Sequence, residues 1–301
     1  MSDLSPLAQI RIACGTSTGV ATLTTISRII VRTRKSQLWV DDVLAIFSMC
    51  TLIVQLVASL INPSKAPGAP QDHDNGAVRY YLISNMFYAV IWSARLSILF
   101  SIIRITRGFR PNRHLAIAAA LFLLAWVVLT AQLYWECETE TAWKHAEIPQ
   151  CKLDRVVAIC QLITDIISDG ILLAVPVRLV MIIQDNKLRY RLILIFGTCV
   201  ITTIASFVHA AFLFEVKEVP IMIAAVIESA ISLVVCNIPI LATAIVKMQQ
   251  HHDDTILAPH SNTVPRFWGE HEGSPINGGN IKHCPLPLSS LQNRIPAVLS
   301  I

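Results

Sequence analysis

The chain has 301 residues, of which 54% are hydrophobic and 15% charged, and its net charge is +4. A soluble globular domain carries about 25% charged residues, so an ordinary soluble domain is excluded. The small positive balance implies no nucleic-acid partner, because the basic residues lie in short connections between apolar blocks.

Seven apolar stretches are read as membrane-spanning helices: Leu7–Val31, Leu38–Ile61, Tyr80–Ile105, His114–Trp135, Leu153–Ile183, Leu192–Glu215 and Val219–Val246. About 20 residues at 1.5 Å each cross a hydrocarbon core of roughly 30 Å. In lipid every backbone N–H and C=O must find a partner within the protein, so each stretch is helical or part of a closed barrel. The blocks are continuously apolar and lack the alternation of barrel strands. The expected fold class is all-α, a polytopic bundle of seven transmembrane helices over residues 1–248. Residues 249–301 are rich in His, Pro, Asn, Gly and Ser and are expected to form a disordered tail.

In the first span, Gly15 and Gly19 form a G-x-x-x-G pattern, read as close packing within the bundle rather than dimerisation. No basic leader precedes it, so this span is expected to act as an uncleaved anchor. Asp41 and Asp42 open the second span. Two readings stand: a favourable interaction with the helix N-terminal dipole, or an ion-pair cluster with Arg104 or Arg107 that holds a resting state. In the third span, Asn85, Tyr88, Trp92 and Arg95 recur at intervals of three and four, making one polar-aromatic face. The connection after the fourth span holds Cys137 and Cys151. A disulfide between them is expected on an oxidising side of the membrane; two free thiols or a bond to another chain are the alternatives. Cys14, Cys50, Cys160, Cys199 and Cys236 lie inside spans and are read as small hydrophobes.

Gln161, Asp165 and Asp169 form a polar stripe on the fifth span, His209 lies in the sixth, and Glu228, Ser232, Cys236 and Pro239 share a side of the seventh. An ionisable group at mid-depth costs about 2.5–3.5 kcal/mol on insertion scales. Arg95 is therefore expected to pair with Asp169 or Asp165. The residues Arg95, Asp165, Asp169, Glu228, Asn85 and Trp92 are read either as interhelical glue or as an outward-facing pocket or switchable core. With one basic and three acidic groups, one carboxylate is expected to be protonated or water-exposed; the sequence leaves open which.

Orientation follows from Lys and Arg in the short loops. Connections after spans 1, 3 and 5 carry Arg32, Arg34, Lys35, Arg104, Arg107, Arg110, Arg113, Arg178, Lys187, Arg189 and Arg191. Those after spans 2, 4 and 6 carry fewer basic residues, offset by acidic ones. The N-terminus is expected outside and the tail in the cytoplasm.

Several segments resemble the fungal rhodopsin-domain family. Leu38-Trp39-Val40-Asp41-Asp42 is similar to its W-x-D-D signature. Arg95-Leu96-Ser97-Ile98-Leu99-Phe100 resembles its helix 3 motif, with Arg95 where Lys is usual. Trp135-Glu136-Cys137, followed by Trp143 and Cys151, is similar to its C-x-P…W…C loop without the proline, and Thr164-Asp165 with Pro176 resembles its T-D…P element. The likeness covers roughly residues 8 to 248. It implies a seven-helix fungal membrane protein, with some relatives proposed as GPCR-like sensors.

The expected function is a receptor-like sensor in the plasma membrane, with an extracellular ligand and a cytoplasmic partner such as a heterotrimeric G protein. The alternatives are a small transporter or channel using buried carboxylates, or a structural membrane protein. No enzyme is expected: a metal hydrolase needs about three converging ligands, and His209 is the one clear mid-span histidine. No retinal is expected either, because a Schiff base needs a lysine amine and Val219–Val246 contains none.

Overall fold

A computed structural model describes residues 6–60, 73–106, 113–139, 142–145, 151, 155–182, 186–215 and 218–257. It comprises α1 (Pro6–Arg34), α2 (Val40–Leu60), α3 (His73–Thr106), α4 (Arg113–Thr139), α5 (Arg155–Ile182), α6 (Asn186–Glu215) and α7 (Glu218–Leu257). A 3-10 turn, Ala142–His145, lies between α4 and α5. No strand occurs among the described residues. Three boundaries differ from expectation. α3 begins at His73, inside the segment expected to be loop, α6 begins at Asn186 rather than Leu192, so that Lys187, Arg189 and Arg191 lie in the helix rather than in the connection before it, and α7 continues to Leu257, past the expected domain limit at residue 248. The rest of the expected tail lies outside the described residues.

Five stretches are long and apolar enough to cross a membrane: Val40–Leu60, Gly76–Arg104, Arg113–Thr139, Arg155–Ala174 and Pro220–Val246. α6 contributes a shorter apolar run, Gly197–Leu213. α1 is not among them, because hydroxyl residues crowd its middle. Most of those hydroxyls are consumed locally, whereas Thr18 Oγ1 is buried without a hydrogen-bond partner among the described residues. Thr16 donates to the Ile12 carbonyl at 2.7 Å, Thr25 to Ala21 at 2.9 Å and Ser27 to Leu23 at 2.8 Å. A hydroxyl bonded to its own helix leaves no open donor to face lipid.

α3 is the central element, packed against α2, α4, α5 and α7. Every residue from Phe87 to Leu99 is buried, as expected of a helix surrounded by others. α4 instead turns Leu121, Leu123, Leu124, Val127 and Val128 outward, where hydrocarbon can cover them. Lipid tails are as apolar as leucine, so close packing and interhelical hydrogen bonds hold such a bundle together.

α1 packs on α2 and α7 through Cys14, Thr18, Ala21, Thr25 and Arg28, which are buried at intervals of four and three. This corrects the reading of Gly15 and Gly19. An added Cβ at either glycine would meet nothing within 4 Å, so they make no close approach in the bundle. The small residues that do pack are one position away, on the Cys14–Arg28 stripe.

The turn from α1 to α2 is tight. Ser36 adopts a left-handed φ of 48°, Gln37 N–H donates to the Arg32 carbonyl at 3.1 Å, and Ser36 N–H to Thr33 at 2.9 Å. This is a Schellman-type helix end, with serine where glycine is usual. α2 then starts with Asp42 accepting from Trp39 N–H at 3.2 Å, a reach-back that caps the first turn. The two devices bring the end of α1 over the start of α2.

Candidate functional site

Three groups of polar side chains lie along the inside of the bundle. At one end, Cys137 and Cys151 form a disulfide with Cα atoms 5.7 Å apart. The 3-10 turn Ala142–His145, within the segment it closes, packs on α3. Trp143 Nε1 donates to the Cys137 carbonyl at 3.0 Å, and its ring packs against Tyr80 and Tyr81 at 5.2 and 5.7 Å. Tyr81 stacks on Tyr134 at 5.1 Å and donates to Glu138 at 2.8 Å. Asn85 belongs here, bonded to the Tyr134 hydroxyl. The sequence groups it with Arg95 in one polar core or ligand pocket, and the structure sets it among these tyrosines.

The second group is central. Arg95 of α3 donates through Nη1 to Asp165 at 2.7 Å and through Nε to Asp169 at 3.2 Å. One guanidinium thus serves both carboxylates of α5. Its flank lies 5.3 Å from the Trp92 ring, a cation–π distance. The far oxygen of Asp169 accepts from Thr202 at 3.0 Å and Thr203 at 2.9 Å on α6. Tyr88, about two turns from Arg95 on α3, donates to Gln161 at 3.4 Å. A small void lined by Arg95, Asp169, Thr202 and Ser232 has room for about one water molecule.

Glu228 of α7 is 2% exposed and pairs within the same layer, but not with Arg95. His209 Nδ1 lies 2.6 Å from its Oε2, and Ser206 donates to its Oε1 at 2.6 Å. Ser, His and Glu are the residue types of a hydrolytic triad. Here, however, the serine bonds the acid, whereas a nucleophile needs the histidine as its base. The arrangement joins α6 to α7 and does not activate Ser206.

The third group lies at the end away from the disulfide and is built around Arg28, whose side chain is 0% exposed. Its Nη2 donates to Asp41 at 3.0 Å and its Nε to Asp42 at 2.9 Å. Its Nη1 reaches the Cys236 carbonyl at 3.1 Å and Asn237 Oδ1 at 3.4 Å on α7. Asn237 in turn donates to Thr25 at 2.8 Å. Ser97 donates to the Asp41 carbonyl at 2.7 Å and Ser101 to its side chain at 2.8 Å. Arg32 lies 3.4 Å from Asp41, and Arg104 lies 3.8 Å away.

The acceptor on α7 lies within the turn before a proline. Pro239 sits inside that helix, where proline removes one backbone donor and crowds the preceding turn. Arg28 bonds the carbonyl of Cys236 within that turn. Asp41 and Asp42 therefore do more than meet the helix dipole. Their main partner is Arg28; Arg104 is peripheral, and Arg107 lies outside the described residues.

The order of these short motifs along one bundle is what a family comparison can test. The fungal rhodopsin domain model matches residues 27–247. The chain belongs to the fungal rhodopsin domain family. No curated protein and no solved structure matches it. As a fungal rhodopsin-domain chain with membrane-length apolar helices, it is a multi-pass integral membrane protein in contact with the lipid bilayer.

Two features of this fungal rhodopsin domain were missed in the sequence. Arg28 was passed over because basic residues near a helix end usually snorkel to the interface. Its signal was position: it continues the Cys14, Thr18, Ala21, Thr25 stripe that faces inward. The Glu228 contacts on α6 were also readable. Two residues separate α6 from α7, so residues similarly far from the adjoining helix ends face each other, as Ser206 and Glu228 do and as Thr202 and Ser232 do around the void; His209 reaches Glu228 from one turn nearer the connection.

Proposed function

We propose that this fungal rhodopsin-domain protein is a receptor-like sensor of the plasma membrane. Its disulfide end faces outward and meets the cue, and its Arg28 end meets a cytoplasmic partner, best matched by a heterotrimeric G protein. One observation carries the reading: α3 and α7 each contribute to both buried charge groups. On α3, Arg95 holds the central group, while Ser97 and Ser101 hold Asp41. On α7, Glu228 lies in the central layer, and Cys236 and Asn237, about 12 Å further along, receive Arg28. A shift of either helix at one level disturbs hydrogen bonds at the other. A receptor that couples its two ends needs elements shared in this way.

The basic connections near Arg32, Arg34 and Lys35 support a cytoplasmic placement of that end. The reading is non-catalytic, since Ser206 is tied to Glu228 rather than to a base.

The test is capture of purified fungal Gα subunits by the intact protein in lipid nanodiscs. The parent is expected to bind one Gα, and Asp42→Asn, which weakens the Arg28 cluster, to bind more. If neither binds any Gα, while proton flux in vesicles appears and is lost in Asp169→Asn, the transporter reading replaces this one.

We further propose that no retinal is bound, because the Pro220–Val246 span contains no lysine. Retinal added to purified protein is expected to give no protein-dependent visible band. Such a band would contradict the reading.

A further inference from the structure

The central layer holds three carboxylates, Asp165, Asp169 and Glu228, against one guanidinium and one imidazole. All are buried. An uncompensated charge in such a place is far more costly than a neutral polar group. The hydrogen bonds divide the partners unequally. Glu228 has His209 and Ser206 on its two oxygens, and a proton in the 2.6 Å contact makes that pair neutral overall. Asp169 has Arg95 on one oxygen and the Thr202 and Thr203 hydroxyls on the other. Asp165 has only a share of Arg95, through Oδ1. Its Oδ2 is buried with no hydrogen-bond partner among the described residues. Of the six carboxylate oxygens in the layer, this is the one that no described residue bonds.

We infer that Asp165 Oδ2 is a proton-binding site, occupied in this arrangement of the helices. With that proton in place, Arg95 balances Asp169, His209 balances Glu228, and the layer is neutral. The Arg95–Asp165 hydrogen bond survives, because a neutral carboxyl still accepts through its carbonyl oxygen.

A metal cation does not fit as well. Hard cations take six or more oxygen ligands, while five of the six carboxylate oxygens are committed, and the void holds about one water. The guanidinium between the two aspartates repels a cation as well.

The groups that act on Asp165 come from each helix around it. α3 supplies Arg95, and α7 supplies Glu228, close enough to repel it. Its own helix supplies Asp169, and Tyr88 of α3 also feels its charge. His209 of α6 stands behind Glu228. α4 has no titratable residue from Leu115 to Leu133. Loss of the proton places a second negative charge beside Asp169 and Glu228, with one guanidinium to share. The α3–α5 contact is thereby linked to proton uptake and release.

Infrared spectroscopy of the full chain in nanodiscs, with aspartate side-chain carboxyls labelled with carbon-13, reads the site directly. The parent is expected to show a labelled carboxylic-acid carbonyl band that shifts in heavy water. Asp165→Asn is expected to lose it. Asp169→Asn is expected to lose it too, since Asp165 then takes Arg95 alone and ionises. Thr203→Val removes a hydroxyl that bonds Asp169 and the Cys199 carbonyl and does not reach Asp165, and it is expected to leave the band where it is. Absence of the band from the parent overturns the assignment. So does its survival in Asp165→Asn or Asp169→Asn, and so does a displaced band in Thr203→Val, which places the proton on Asp169. None of these readings depends on signalling, so the receptor proposal and the proton site fail separately.

Discussion

Arg95→Met is expected to be the most damaging single change in the bundle, lowering stability by about 3–5 kcal/mol. Methionine matches much of the side-chain volume, so packing alone predicts a small effect. Charge predicts a large one. Arg95 is the guanidinium that bonds Asp165 and Asp169, at 2.7 and 3.2 Å. Without it, Asp169 loses its balancing charge and Asp165 its hydrogen-bond partner in one buried site, so Asp169 must stay ionised and unpaired or take up a proton. The measurement is thermal unfolding in detergent, alongside the fraction of protein reaching the cell surface. Adding Asp165→Asn and Asp169→Asn to Arg95→Met is expected to recover most of the loss, because the charges then vanish together. A single variant as stable as the parent, or a triple variant no better than the single, removes the ion pair from the account of this fold.

Arg28→Met is expected to cost about 3 kcal/mol, the lower end of the range for breaking a buried pair. The two sites differ in what remains. Around Arg95, no second guanidinium is bonded to the aspartates among the described residues. Around Arg28, Arg32 stays within 3.4 Å of Asp41 and 3.7 Å of Asp42, and Arg104 within 3.8 Å of Asp41. The carboxylates keep part of their compensation, and the loss falls on the link to α7. Arg28→Lys is expected to recover only part, since an ammonium lacks the planar fork that spans Asp41, Asp42 and Cys236 at once. The same unfolding assay decides it. A loss in Arg32→Met equal to that in Arg28→Met would show that the cluster has no centre at Arg28.

The helical bundle was legible because lipid leaves few options. A 20-residue apolar block has to be a helix, and charges at mid-depth have to find partners. Arg95, Asp165 and Asp169 were recognisable as a set for that reason: the two acids are one helical turn apart on α5, at a depth matching the arginine on α3. Their division of labour was not legible. That Asp169 is bonded by Thr202 and Thr203 while Asp165 keeps an open oxygen depends on how α6 is rotated, and many rotations suit the same hydropathy.

α1 misled in a different way. Gly15 and Gly19 advertise close packing by pattern, but the helix is turned so that Cys14, Thr18 and Ala21 meet the neighbours. Small residues occupy both faces, so spacing alone did not fix the rotation. The continuation of α7 to Leu257 had no hydropathy signal, because Gln249 to Asp254 is polar throughout. Asn85 was assigned to the charged layer because it shares a face with Arg95. Ten residues of helix separate them by about 15 Å, which places it among the tyrosines instead.

The bonds of Arg28 also impose a timetable on biosynthesis. Its carboxylate partners lie 13 and 14 residues away and leave the ribosome almost immediately, whereas Cys236 and Asn237 follow 208 and 209 residues later. The first helix is too rich in hydroxyls to count as a membrane-length apolar stretch by itself, yet it cannot complete its contacts until the last one has been translated. A nascent chain halted before that point carries an incompletely bonded guanidinium at the edge of the bilayer, a mark by which unfinished copies differ from finished ones.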